Sequence, residues 1–205
     1  MEAIIFDFDG VIHNTFEFHF KRVKEFTGID FSEEEFKDMH NGNFFKNKNG
    51  KFSHIDWSGY RDYIYQDFSS LKITDQIKNV LFKLHENYKL FIISSGGTEC
   101  IKGYLKNNKI EHIFHEVLGF ESHPYKVDKF NLIFEKYSFD PRVCLFVTDT
   151  LGDVLEANEV GLKSVAVDFG YHGKKTLEKG CPYCIISKFE DVFNALDGSS
   201  SELRR

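Results

Sequence analysis

Two periodicities divide the chain. From about position 89 onward, short apolar runs alternate with segments whose apolar residues recur every three or four positions. The runs at 90–93, 143–147, 164–167 and 184–186 read as strands, with a weaker one near Val117 and Leu118. Helical spacing links Ile101 with Leu105, and Phe130 with Ile133, Phe134 and Tyr137. Val154 and Leu155 mark a further helix closed by Gly161, and Ser187 with Glu190 predicts a cap for a last helix bearing Phe189, Val192, Phe193 and Leu196. A similar run, AIIF at 3–6, opens the chain. Uninterrupted apolar runs of this kind suit strands buried on both faces. Their alternation with helices predicts βαβ units: an α/β fold with a Rossmann-like, mostly parallel sheet flanked by helices.

Between the first strand and position 76 the pattern is helical. Phe16, Phe20 and Val23 share one face of a helix from 16 to about 26. Ser32 opens a second helix, with Glu35 completing a capping box, Phe31 and Phe36 forming a hydrophobic staple, and Asn41-Gly42 as the stop. The stretch 43–51 is polar, apart from Phe44 and Phe45, and reads as a loop. Tyr60, Ile64 and Phe68 mark a third helix; Ile77, Leu81 and Leu84 mark a fourth, with Thr74 as N-cap. The predicted organisation is an α/β core of 1–14 and 76–198, a small helical cap domain at 15–75 inserted after strand 1, and a flexible tail at 199–205.

Composition narrows the function classes. The chain has 205 residues, enough for one α/β domain with an insertion. A formal charge of −6 argues against a general nucleic-acid binder. No apolar run approaches a membrane span, and the N-terminus lacks the basic and apolar regions of a secretory signal. Four cysteines are few for this length, which predicts a reducing, cytoplasmic setting. Cys181-Pro182-Tyr183-Cys184 matches the glutaredoxin tetrapeptide. A reactive Cys-x-x-Cys needs its first thiol at a helix N-terminus, whereas this one runs into Ile185-Ile186, so no redox centre is expected.

The candidate chemistry lies where strands end. Asp7 and Asp9 follow the first strand, at the position where open α/β sheets place their sites. Two carboxylates about 4 Å apart repel by roughly 4 kcal/mol at an effective dielectric near 20, so a metal ion, a lysine or a shared proton must offset them. Ser94 and Ser95 follow a later strand, Lys126 opens a helix, and Asp149 and Asp153 follow the strand ending at Val147. In this order the residues resemble the haloacid dehalogenase-like hydrolase superfamily. Asp7-Phe8-Asp9 matches its DxD motif, Ser94 its second motif, Lys126 its third, and Asp149 and Asp153 its D-x-x-x-D. The resemblance implies a phosphatase in which Asp7 attacks phosphorus to form an aspartyl-phosphate and Asp9 serves as general acid and base. It also implies Mg²⁺ held by the Asp7 and Asp149 side chains and the Asp9 carbonyl, with Ser94, Ser95 and Lys126 holding phosphoryl oxygens. Asp153 is expected to orient Lys126 or a metal-bound water.

The chain departs from the family at His13-Asn14, where many capped members carry an acid, and at Pro124-Tyr125-Lys126, where Gly-Lys-Pro is frequent. Lys126 rather than Lys129 is expected at the phosphoryl group, with Lys129 of little consequence, and Asp168 is read as structural. The implied partner is a small phosphorylated metabolite, with His19, Arg22, Trp57, Tyr60 and Arg61 as candidate contacts on a mobile cap. A phosphomutase shares all four motifs, and a non-enzymatic phosphate-binding or signalling module is a further alternative. The oligomeric state is left open.

Overall fold

The computed structural model describes residues 1–41, 52 and 54–198. Gly42 of the predicted helix stop, the loop expected at 43–51 and the tail expected at 199–205 lie outside the described residues, apart from Asn41 itself. The strands are β1 Ala3–Phe6, β2 Lys89–Ile93, β3 Phe114–Leu118, β4 Cys144–Thr148, β5 Lys163–Val167 and β6 Cys184–Ile186. The helices are α1 Phe16–Thr27, α2 Glu33–Asp38, α3 Tyr60–Ser70, α4 Asp75–His85, α5 Thr98–Asn107, α6 Lys126–Tyr137, α7 Leu151–Glu159, α8 Lys174–Leu177 and α9 Val192–Leu196.

The strands form one six-stranded parallel sheet in the order β3-β2-β1-β4-β5-β6. This is the doubly wound order, which reverses at β1, and the crevice beyond the strand ends at that point is where such sheets bind ligands. Alternation with period two splits each strand between two cores. Ile4, Phe6, Leu90, Ile92, Leu145 and Val147 belong to one cluster with Leu81 and Ile101. Ala3, Ile5, Phe91, Ile93, Cys144 and Phe146 belong to the other with Phe130, Ile133 and Ala157. All four residues of β1 are fully buried, which is why its sequence is apolar throughout.

β3 begins at Phe114, earlier than the sequence suggests. It is an edge strand, so His115 and Glu116 need no apolar cover; Glu116 instead pairs with Lys136 at 2.9 Å. The capping box on α2 forms: Ser32 Oγ accepts from Glu35 N at 3.1 Å and Glu35 Oε2 accepts from Ser32 N at 2.7 Å. The Phe31 and Phe36 rings stack with centroids 5.5 Å apart, and Thr74 Oγ1 accepts from Ile77 N. Ser187 departs from expectation. Its hydroxyl donates to Asp168 Oδ2 at 2.8 Å, a charged acceptor at the end of neighbouring β5, and the chain enters α9 through a 3₁₀ turn with no side-chain cap. Cys181 follows a short helical turn rather than opening a helix, Cys184 is buried in β6, and both are free thiols. Among the described residues no helix is long and apolar enough to cross a membrane.

Candidate active site

Asp7 extends the β1 ladder by one step, its N–H donating to Val147 O at 2.8 Å, so its position is set by β4. The chain then turns sharply: the amides of Val11, Ile12 and His13 all converge on Phe8 O, and Gly10 adopts φ +74°. Asp7 Oδ1 accepts from Phe8 N at 2.7 Å. Its Oδ2 lies 2.7 Å from Lys126 Nζ, and the same ammonium lies 2.6 Å from Asp153 Oδ2. Lys126 is only 2% exposed, at the first position of α6, where its backbone N–H donates to Glu156 Oε1. Asp153 sits in the first turn of α7, where Thr150 Oγ1 caps its N–H, and Thr148 Oγ1 donates to Asp153 Oδ2 at 2.7 Å.

Asp149 follows β4 and is fully buried. Its Oδ2 accepts from Tyr171 N at 2.7 Å, while Oδ1 is enclosed with no hydrogen-bond partner. Glycines from distant parts of the chain flank it: a Cβ on Gly10 would lie 1.8 Å from Oδ2, and one on Gly170 2.4 Å from the same atom. Asp7, Asp149 and Asp153 offer oxygens all within 4.8 Å of one another. Burial pushes the Asp7 carboxyl well above the carboxylate range, with Lys126 opposing and Asp153 adding to the rise. Burial raises Asp149 to about 8, against the Tyr171 amide, with Asp153 again adding. For Asp153 the same burial is outweighed by Lys126 and hydrogen bonding, which bring it to about 2. An unpartnered carboxylate oxygen amid crowded acids is a donor set for a cation, and hard oxygens fit Mg²⁺. The sequence groups Asp7, Asp9 and Asp149; the structure gathers Asp7, Asp149 and Asp153. The Asp9 carboxylate turns away to accept from Thr15 Oγ1 at 2.6 Å and to meet His19 Nε2 at 3.2 Å, leaving its backbone carbonyl for any ligand role. Burial alone would raise Asp9, but His19 and Thr15 together hold it below its ordinary value.

Ser94 is fully buried at the end of β2, its Oγ accepting from Gly96 N at 2.9 Å, so its hydroxyl hydrogen remains to be donated. Lys129 lies closer to the site than the sequence suggests. It is fully buried and its Nζ donates to Ser94 O; burial, then the charge of Lys126, lowers it to about 7. Ser95 lines a solvent-open cleft together with His19, Trp57, Tyr60, Arg61 and Tyr171. Arg22 is not among its lining residues, because its guanidinium pairs on the outside of α1 with Glu25 and Asp67. His172 ties the insertion to the site: its Nδ1 accepts from Leu151 N and its Nε2 meets Lys37 O, while Gly152 N donates to His40 O. Thr15, Lys129, Gly170, Tyr171 and His172 were not singled out as site residues from sequence. Only Gly170 carries a usable signal, a glycine just past a strand end.

Comparison with known proteins adds a lineage. A family model described as haloacid dehalogenase-like hydrolase matches residues 4–167. A phosphoglycolate phosphatase of Haemophilus influenzae (strain 86-028NP) is 26% identical over 130 residues, 61% of this chain and 58% of that protein. One from Mannheimia succiniciproducens is 27% identical over 126 residues, 59% of this chain and 56% of that protein. The chain thus aligns with under two thirds of the length of either relative. Among solved structures, a haloacid dehalogenase-like hydrolase of Streptococcus pneumoniae superposes with a TM-score of 0.78 at 22% identity, over 96% of this chain and 98% of that one. A Thermotoga maritima protein assigned as a β-phosphoglucomutase gives 0.67 at 19% identity, over 97% and 99%. At these identities the structural likeness speaks for the fold.

Proposed function

The chain belongs to the haloacid dehalogenase-like hydrolase family, and from that premise we propose that it is a Mg²⁺-dependent phosphatase acting on a small phosphorylated metabolite. The observation that carries the reading is Lys126 Nζ in contact with both Asp7 and Asp153, beside the unpartnered Asp149 Oδ1. Asp7 and Asp149, with the Asp9 carbonyl, would hold Mg²⁺, which supplies charge stabilisation for the phosphoryl oxygens. Asp7 attacks phosphorus, forming its own O–P bond as the ester O–P bond breaks, and Lys126 and the Ser94 hydroxyl hold phosphoryl oxygens. Asp9 gives a proton to the leaving alkoxide, then takes one from the water that releases phosphate from Asp7. Asp9 is held ionised by His19 and Thr15 in the substrate-free arrangement; a phosphate dianion beside it raises its affinity for the proton it must deliver.

Residues 15–75 act as the cap over this chemistry, a role supported by the reach of His19 from α1 to Asp9. The reading includes a reducing, cytoplasmic setting, in keeping with four free cysteines. Released phosphate, assayed on simple monoesters with Mg²⁺ and with a chelator, tests the proposal. Activity should require the metal and vanish in Asp7→Asn, and a beryllium fluoride adduct should form on Asp7. Interconversion of sugar phosphates without net phosphate release would assign a mutase instead, and binding without turnover a phosphate-binding module.

A further inference from the structure

The cleft beside Asp9 has a chemistry of its own. Its inner end is fixed by two residues: His19 lines it and meets Asp9 Oδ1, and Gly96 lines it with a would-be Cβ 3.4 Å from Asp9 Oδ2. The space therefore opens from the carboxyl group that would protonate the leaving oxygen. With phosphorus at Asp7, the alcohol part of a monoester would extend into this space.

The walls are aromatic and aliphatic: Trp57, Tyr60, Tyr171, Phe36, Val23 and Ile64. Several polar ends of the lining residues are already engaged. Tyr60 Oη pairs with His19 Nδ1 at 3.0 Å, Tyr171 Oη lies 3.4 Å from Thr15 Oγ1, and His40 Nδ1 bonds Phe36 O at 3.1 Å. Among the described lining residues Arg61 brings the one guanidinium, but its Nε lies 3.6 Å from Glu121 and its Cζ lies 4.0 Å from the centroid of the Phe120 ring. A carboxylate such as that of glycolate would have to compete with Glu121 for that cation. Among the described lining residues, the Ser95 hydroxyl and the terminal nitrogens of Arg61 are what remains for the several hydroxyls of a sugar, and each one left unpaired costs affinity. A flat apolar ring meets neither penalty and gains contact with aromatic faces.

We propose that the substrate is a phosphate monoester whose leaving group carries an uncharged aromatic ring within a few bonds of the ester oxygen, seated between Trp57, Tyr60 and Tyr171. This rests on the phosphatase reading of the site but makes its own claim, that the ring, not a carboxylate or a polyol, is what the cleft selects.

Two measurements on the full chain with Mg²⁺ separate the two claims. The first compares kcat/KM for benzyl phosphate, phosphoglycolate and glucose 6-phosphate, esters of unactivated alcohols. Benzyl phosphate should lead by tenfold or more, equivalent to about 1.4 kcal/mol. Trp57→Ala should bring the ratio towards one, and Trp57→Phe should keep most of it. The second uses the fluorescence of Trp57, the chain's single tryptophan, titrated with the non-hydrolysable benzylphosphonate and with phosphonoacetate. Benzylphosphonate should quench at a concentration at least tenfold lower. Hydrolysis of all three esters without preference for the ring, or equal quenching by the two phosphonates, would overturn the ring proposal and leave the phosphatase reading standing. Selective quenching by benzylphosphonate with no ester hydrolysed would retain the ring site and overturn the phosphatase reading.

Discussion

At the scale of single residues the site is governed by close approach. The Gly10 Cα stands so near Asp149 that one added methyl group would occupy the carboxylate's place, and its φ of +74° strains any L side chain as well. Gly10→Ala should therefore displace Asp149. Mg²⁺-dependent activity is expected to fall by orders of magnitude in a chain that still folds, as phosphate release and circular dichroism together would show. Lys126 and Lys129 lie one helical turn apart and meet different partners: two carboxylates for the first, the carbonyl of Ser94 for the second. Lys126→Met should abolish turnover. Lys129→Met should keep the fold, because the new side chain suits a buried site, but should free the Ser94 loop and weaken inhibition by inorganic phosphate severalfold. Unchanged inhibition would reduce Lys129 to packing. The position of Lys126 was legible because it opens a helix with Asp7, Ser94 and Asp149 each following a strand. Lys129 was not, since its partner is a backbone carbonyl, which leaves no mark in a sequence; the same holds for the Tyr171 amide on Asp149.

At the scale of elements, the strands of the central sheet were readable because burial on both faces demands uninterrupted apolar runs. β3 was only half readable because an edge strand is released from that demand. The α2 cap was fully readable because it is local, Ser32 to Glu35, whereas Ser187 was misread because its partner Asp168 lies on another element. The junction of α2 with α7 was invisible for the same reason. There, burial and the neighbouring His172 depress His40 to about 4 from an ordinary 6.5. As pH falls from 6.5 towards 4 the unfolded chain takes up the proton first, so stability is lost across that window. Relative to His40→Gln, the wild type should lose on the order of 1 kcal/mol by pH 5.5, seen as a melting temperature lower by about 2–4 °C. Equal acid sensitivity of the two proteins would show that His40 takes its proton in the folded state without penalty.

At the scale of the whole molecule, folding gathers three acids from two distant places in the chain before any cation is supplied. Mg²⁺ that binds the folded state alone must stabilise it by mass action, by about 2.7 kcal/mol at a hundred times the dissociation constant. Thermal unfolding should shift upward with Mg²⁺. Asp149→Asn should melt higher than wild type without metal at neutral pH, because folding no longer has to bury a carboxyl whose pKa is raised to about 8 and so force a proton onto it, and should lose the upward shift; a preserved shift would place the cation elsewhere. The dependence of Asp149 on Gly170 and the Tyr171 amide also has a consequence for how the protein is made. Asp7, Asp9, Ser94, Lys126, Asp149 and Asp153 all precede residue 168, and the family match itself ends at 167. A growing chain that has reached that point carries every motif yet has nothing to hold the Asp149 carboxylate. The amide that holds it belongs to Tyr171, so the reactive centre can be completed only long after its nucleophile has been made.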